Sequence, residues 1–353
     1  MNDAAPAVIL GGTGYVAGEL LRLLAAHPHM SVAAVLSDSQ AGTAVGGAFA
    51  HLRDAYPDLK FSAAEDLDAL VRRNALTALF SAAPHGVSAG IVDRLLHAAE
   101  QAGTRVHCVD ISADFRYSSQ EAYEAVYKHP HGAPARIREF TCAVPEHLQR
   151  SPTAHVAHPG CFATATLLAS VPLLALGLTH AQLFVAGITG STGSGRKPVE
   201  GTHHPLRHGD LYAYGALAHR HVPEITACAK QATGVDAEFN FVPHSGPFAR
   251  GIHITVQAAL KKPLSSAQAQ QALRTFYKDC PFVRVLEGAP RVKDVAASNY
   301  SNLSAVTNGR TIAVMSVLDN LNKGAAGGAI QWMNRLLGFP ETAGLTAPAP
   351  GWT

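Results

Sequence analysis

Several groups of residues in this chain have types and spacings suited to chemistry, and the first is a thiol. Cys161 stands in HVAHPGCFATATLLA (155–169), directly after a Pro-Gly pair and directly before a run with helical apolar spacing. A cysteine so placed heads a helix, where open N–H groups and the helix dipole favour the thiolate, the form that attacks an acyl carbon. The same pattern also suits a small hydrophobe opening a buried helix, and the local sequence leaves both readings open. Downstream, AHRHVPEI (218–225) places His219 and His221 where a glycine-rich loop gives way to a helix, and histidine transfers protons near neutral pH. Histidines are numerous, 19 in all, so most must be capping or solvated. No carboxylate or thiol recurs at ligand spacing among His203, His204, His208, His219 and His221, so no metal site is expected.

Two glycine-rich turns suggest anion binding. GGTGYVAGELL (11–21) follows an apolar run and opens a helix, the arrangement in which a close-packed backbone and a helix N-terminus receive a pyrophosphate. In VLSDSQ (35–40), Asp38 suits a free ribose hydroxyl and Ser37 or Ser39 a 2′-phosphate, so NAD and NADP both remain open. TGSTGSGRK (189–197) follows a strand and offers backbone donors, hydroxyls and two cations to a phosphate or nicotinamide group. SADFR (112–116) follows the apolar run that ends at Ile111; there Arg116 either grips a substrate carboxylate or pairs with Asp110 or Asp114.

These groups require a framework. Strands at 7–10, 32–36, 76–81 and 105–111 alternate with helices at 18–26, 64–73 and 88–102, which predicts a Rossmann-type parallel sheet covered on both faces. After about residue 160, strands at 183–188, 237–242, 250–260, 282–286, 304–307 and 311–318, with one clear helix at 265–279, predict an α+β domain with a mostly antiparallel sheet. A last helix at 324–337 returns to the first domain, and the Pro- and Ala-rich tail from 340 is expected to be loosely held. With 353 residues, 47% hydrophobic and 15% charged, the chain suits two globular domains, and a net charge of +2 gives no nucleic-acid surface. Five dispersed cysteines without CxxC spacing fit a reducing compartment. MNDAAPAVIL lacks the basic start of a signal peptide and no apolar run reaches membrane-spanning length, so a cytoplasmic protein without membrane contact is expected.

Taken in order, GGTGYVAGELLRLL (11–24), AAPHGVS (82–88), DISADFR (110–116), HPGCFATATL (158–167), GSTGSGRKP (190–198), HRHVPEI (219–225), FVPHSGPFARGI (241–252) and LDNLNKGAAGGAIQWMN (318–334) resemble the N-acetyl-γ-glutamyl-phosphate reductase family, which includes carrier-linked aminoadipyl-phosphate reductases. The resemblance implies NADP(H)-dependent reduction of an acyl phosphate to a semialdehyde, with Cys161 as nucleophile and His219, or else His221, as acid/base. It implies cofactor contacts from Gly11, Thr13, Gly14, Tyr15, Ser37, Pro84, Ser191, Gly193, Gly195 and Asn320, and substrate contacts from Ser112, Arg116, Lys197, His244 and Arg250. It implies a discontinuous cofactor domain, 1–157 with 320–353, around a catalytic and dimerisation domain, 158–319, in a homodimer or homotetramer. His158 departs from the family's usual Asn, and the segment with His203-His204-Pro205 is similar to the carrier-linked branch. That leaves two substrates: a free N-acetylglutamyl phosphate, or an acyl phosphate presented on a small acidic carrier protein. A non-catalytic nucleotide-binding regulator is the remaining alternative, and it requires Cys161 to be an ordinary buried thiol.

Overall fold

The computed structural model describes residues 4–351, which form two compact units. Among the described residues, one comprises 4–143, Arg150–His158 and Ala326–Thr346; the other comprises Val144–Gln149, Pro159–Ala325 and 347–351.

In the first unit β1 (Ala5–Leu10), β2 (Met30–Val35), β3 (Leu76–Ser81), β4 (Arg105–Asp110), β5 (Phe140–Cys142) and β6 (His155–Ala157) form a sheet in the order β2-β1-β3-β4-β6-β5. Every neighbouring pair is parallel. The crossovers run through α1 (Tyr15–Leu24), α2 (Val45–Ala48), α3 (Ala64–Arg73), α4 (Ser88–Ala102) and α5 (Gln120–Tyr127). Ala7 to Leu10 and Ala78 to Phe80 are fully buried, as central strands covered on both faces must be. The second strand runs 30–35 rather than 32–36, and Leu36 makes only an isolated bridge to Ser62. β5 and β6 have three residues each, too few for an alternating pattern to register in the sequence.

The second unit carries β7 (Thr179–Thr189), β8 (Tyr212–Ala213), β9 (Glu238–Ser245), β10 (Ile252–Leu260), β11 (Val283–Val285), β12 (Ser301–Thr307) and β13 (Thr311–Leu318), in the order β11-β12-β13-β10-β7-β9-β8. The β7/β9 and β11/β12 pairs are parallel and the rest antiparallel, so the sheet is mostly antiparallel, as expected. Its helices are α6 (Cys161–Ala175), α7 (His204–Arg207), α8 (Val222–Thr233) and α9 (Ser266–Phe276). α6 is apolar on every side and packs on β7, β10, β13 and α8.

Register fixes which sheet face faces what. Val185, Val256, Val314 and Ala305 lie abreast and are buried, on the face that α6 covers. One residue along, Phe184, Gln257, Ala313 and Val306 lie abreast on the opposite face, where Phe184 and Val306 are exposed. A pleated strand sends successive side chains to opposite faces, so one side of this sheet is open.

α10 (Gly327–Leu336) belongs to the first unit, where it packs on β4 and α1. Trp332 donates its Nε1–H to the carbonyl of Ala143 (2.8 Å), and Asn334 Oδ1 lies 3.0 Å from His27 Nε2. The tail is held more firmly than its composition suggests. Leu345 is buried, and the Asn334 amide donates to the carbonyls of Glu341 and Ala343. The expected helix at 324–337 begins three residues late, because 322–326 form a π-type turn.

Burial pulls the pKa of His147, His155 and His219 down to about 4 each. In the unfolded chain they titrate near the ordinary ~6.5. Between those values the unfolded chain binds more protons than the folded one, so stability is full above pH ~6.5 and falls as pH drops toward 4. Urea midpoints measured from pH 7.5 to 4.5 should fall with acidification, with a slope near pH 5 corresponding to net uptake of about two protons on unfolding, the three histidines less the proton that Asp110, raised to about 6, already holds in the folded chain. A profile flat from 6.5 to 4.5 would contradict the burial of neutral imidazoles.

Candidate active site

In the first unit the turn after β1 is built for close approach. Gly11 sits at φ +76°, and a Cβ there would strike the carbonyl of Ala82 at the end of β3. Gly14 caps α1 without any side-chain hydrogen bond, which leaves helix N–H groups for an external anion, and Tyr15 opens the helix half-exposed. Ser37 follows β2, with its N–H donated to Ser62 (3.2 Å). Pro84 accepts backbone N–H groups from Val87 and Ser88 as the chain enters α4. This second loop is tied down by Asp114, which accepts from the N–H groups of Gly86 (2.8 Å) and Ala89 (3.0 Å).

Beyond β4 the expected substrate residues turn inward. Ser112 donates its hydroxyl to Asp110 (2.8 Å), and Arg116 is buried, donating from Nε to His158 O (3.0 Å) and from Nη2 to Ile111 O (2.7 Å). Burial, with the charge of Asp114 beside it, raises Asp110 to about 6. The segment braces the carboxyl edge of the sheet.

In the second unit Cys161 is the first residue of α6, half-buried, with Gly160 as N-cap. Two side chains converge on Gly160. A Cβ at this position would lie 2.6 Å from the ring of His221 and 2.8 Å from Glu224 Oε1, and that carboxylate accepts the Gly160 N–H at 3.0 Å. Both come from the first turn of α8, where His221 is the N-cap and Glu224 is fully buried. His219 stands edge-on to His221 with ring centroids 4.7 Å apart, against Phe162 and Phe241. Burial, helped by Arg220, lowers His219 to about 4, so it is neutral at pH 7. Its Nδ1 accepts the His221 N–H at 3.2 Å, so its proton resides on Nε2. Tyr214 packs edge-on to the same ring, and desolvation together with Cys161 raises its phenol to about 12.

The other side of Cys161 is closed by the turn after β13. Asp319 is fully buried and accepts from Arg250 (2.9 and 3.0 Å) and from the N–H groups of Ala297, Leu321 and Asn322. Asp319 O also accepts the Gly324 N–H (2.9 Å), and a Cβ on Gly324 would come within 2.7 Å of Cys161 Cβ. Lys323, next in line, is buried completely and donates to Glu146 at 2.6 Å. Arg250 and Lys323 therefore build the turn with their charges. Asn320 is likewise engaged, accepting the Gly251 N–H (2.7 Å) and donating to Thr192 (3.0 Å). It holds the glycine loop in place, where Ser191 and Thr192 donate their N–H groups to Phe248 and Ala249, and Gly193 and Gly195 are exposed. Lys197 is exposed, and His244 Nδ1 lies 3.3 Å from the carbonyl of Gly187.

The sequence reading missed Glu224, Asp319 and Glu146. Glu224 carried a signal, standing three residues after His221 on one helix face. Asp319 carried one too, as an Asx residue directly after a strand. Glu146 carried none.

Residues 6–147 match the model for the semialdehyde dehydrogenase NAD-binding domain, and 161–320 the model for the semialdehyde dehydrogenase dimerisation domain. Solved structures agree on the fold. Aspartate semialdehyde dehydrogenase II from Vibrio cholerae, in complex with ASA, superimposes with a TM-score of 0.68 over 95% of this chain and 98% of its own, at 15% identity. A probable aspartate-semialdehyde dehydrogenase from Pseudomonas aeruginosa gives 0.64 at 19% identity, over 95% and 98%. The class is thus an oxidoreductase with a nicotinamide-binding domain.

Among curated relatives, the N-acetyl-gamma-glutamyl-phosphate reductase of Pseudomonas aeruginosa is 39% identical over 348 residues, 97% of this chain and 98% of that protein. The Ectopseudomonas mendocina protein of the same name is 38% identical over the same shares. The chain belongs to the N-acetyl-gamma-glutamyl-phosphate reductase family. Among the described residues, no helix is long and apolar enough to cross a membrane, and no three His, Cys, Asp or Glu side chains group as a metal site would require.

Proposed function

We propose that this protein reduces N-acetyl-γ-glutamyl phosphate to N-acetylglutamate 5-semialdehyde, with NADPH as reductant, in arginine biosynthesis. The observation that carries the reading is Cys161 at the head of α6, with His221 and Glu224 meeting at Gly160 and a neutral His219 alongside. The thiol of Cys161 passes its proton through His221 to the departing phosphate as sulfur replaces phosphate on the acyl carbon. The Gly11–Tyr15 turn, with Ser37 and Pro84, would hold NADPH, which would supply the hydride. Nε2–H of His219 donates to the resulting oxyanion, which collapses to the aldehyde and returns the thiolate, and a solvent proton restores the thiol. Gly11, which lets the turn pack against the backbone of Ala82, and the start of α1, which no side chain caps, fit a dinucleotide whose pyrophosphate the helix N–H groups would receive.

The decisive assay runs the reaction in reverse. Free N-acetylglutamate semialdehyde with phosphate and NADP+ should yield NADPH, and NAD+ should serve at least about tenfold less well. Activity appearing only with a carrier-linked aldehyde would replace this substrate with the carrier-bound one.

The open sheet face of the second unit supports a homodimer formed across the row Phe184–Gln257–Ala313–Val306. Phe184→Glu would bury charge there, so sedimentation at micromolar concentration should show a dimer for the native chain and a monomer for the variant. An unchanged dimer would move the interface elsewhere.

A further inference from the structure

The substrate proposed above carries two oxyanions, an acyl phosphate and a carboxylate; of the cations expected to hold them, Arg116 and Arg250 are already engaged and Lys197 is exposed. Arg116 is committed to backbone carbonyls, Arg250 to Asp319, and Lys323 to Glu146. Arg207, at the end of α7, is in a different position. It is 8% exposed, its Nη2 donates to the carbonyl of Gly246, and its Nε and Nη1 are buried with no hydrogen-bond partner among the described residues. Guanidinium stays charged at any physiological pH, and leaving it buried without a counter-charge is costly. Donors open on two edges of one buried cation call for an anion from outside the chain.

The surroundings point the same way. Gly246 donates its N–H to Thr189 at the end of β7, and two residues on Phe248 accepts from Ser191 of the glycine loop. Thr189 pairs with Ser245 and Ile252, and Ile252 with Leu318, so these residues share one edge of the sheet. Leu318 lies against Gly324, which lies against Cys161. On the adjoining strand, Tyr214 and Leu217 donate to Pro243 and Phe241 on the way to His219. Arg207 is therefore anchored at the edge where the glycine loop, the thiol's neighbours and the histidine segment meet.

We infer that Arg207 is an oxyanion-binding residue, taking the phosphate or the carboxylate of the acyl-phosphate substrate. The inference rests on the functional reading above, and the test keeps the two separable. Thermal denaturation of the native chain, Arg207→Met and Arg207→Lys is followed in rising inorganic phosphate and, separately, rising N-acetylglutamate. One of these anions should raise the native midpoint saturably; Arg207→Met should lose that response, and its midpoint without anion should equal or exceed the native one, because an unpaired buried charge has gone. Arg207→Lys should keep a weakened response. In the reverse assay, KM for phosphate should rise at least about tenfold in Arg207→Met if the site holds phosphate. KM for the aldehyde should rise instead if it holds the carboxylate. A native chain that responds to an anion through Arg207 yet oxidises no semialdehyde would overturn the substrate and keep the oxyanion site. If neither the midpoints nor either KM depends on Arg207, or if Arg207→Met is destabilised equally at every anion concentration, the side chain is a structural strut and the inference fails.

Discussion

Cys161→Ser should lower turnover of N-acetylglutamyl phosphate by about four orders of magnitude or more, while NADPH affinity stays within about twofold. The size follows from what the thiol contributes. A thioester divides the reduction into displacement and hydride transfer, and a serine hydroxyl at a helix N-terminus remains protonated where a thiol ionises. Serine removes no bulk and keeps the cap at Gly160, so α6 should be unaltered. Stopped-flow consumption of NADPH measures the turnover and fluorescence titration the affinity. Turnover within about tenfold of the native rate would remove Cys161 from the reaction. Iodoacetamide should also label Cys161 faster than the other four cysteines at pH 7, and equal rates would favour the non-catalytic reading.

The second large effect is expected at a residue with no functional group. Gly324→Ala would place a methyl carbon 2.7 Å from Cys161 Cβ and 3.2 Å from Leu318 Cδ1, on a turn that Asp319 and Lys323 hold in place. The turn has little freedom to retreat, so the thiol side must shift by several tenths of an ångström. Misplacing a reacting atom by about an ångström costs on the order of 10²-fold, and a loss in kcat of about that size is expected with KM for NADPH unchanged. The pH dependence of thiol alkylation should move as well, since the helix terminus no longer faces the sulfur in the same way. Native kcat and a native alkylation profile would show that the turn yields and that Gly324 has no hold on Cys161.

The elements with strong periodicity were legible in the sequence, and so were the glycine turns that join them. The β3 strand and the α3 and α4 helices fall at their expected residues because each has an unbroken apolar pattern. What escaped was whatever depends on distant pairing. β5 and β6 are strands only because neighbours hold them, and α5 has one buried residue in eight, Tyr123, to announce it. The site divides the same way. The thiol and two histidines could be picked out by type, but their arrangement around Gly160 depends on a carboxylate, Glu224, whose spacing from His221 shows a shared helix face and not the Gly160 N–H that it accepts. Arg116 and Arg250 read as anchors for a ligand because sequence shows charge and not the partner that claims it.

The buried pair of Glu146 and Lys323 joins residues 177 positions apart, and the first unit is itself finished by residues 326–346. During synthesis at about 5–20 residues per second, neither unit has all its parts until residues 323–346 have been made. The nascent parallel sheet waits for Trp332 to reach Ala143, with β4 and β5 unsealed on that side in the meantime. A chain threaded in this way makes the emergence of residues 323–346, rather than of the first strands, the moment at which the enzyme is made or lost to aggregation.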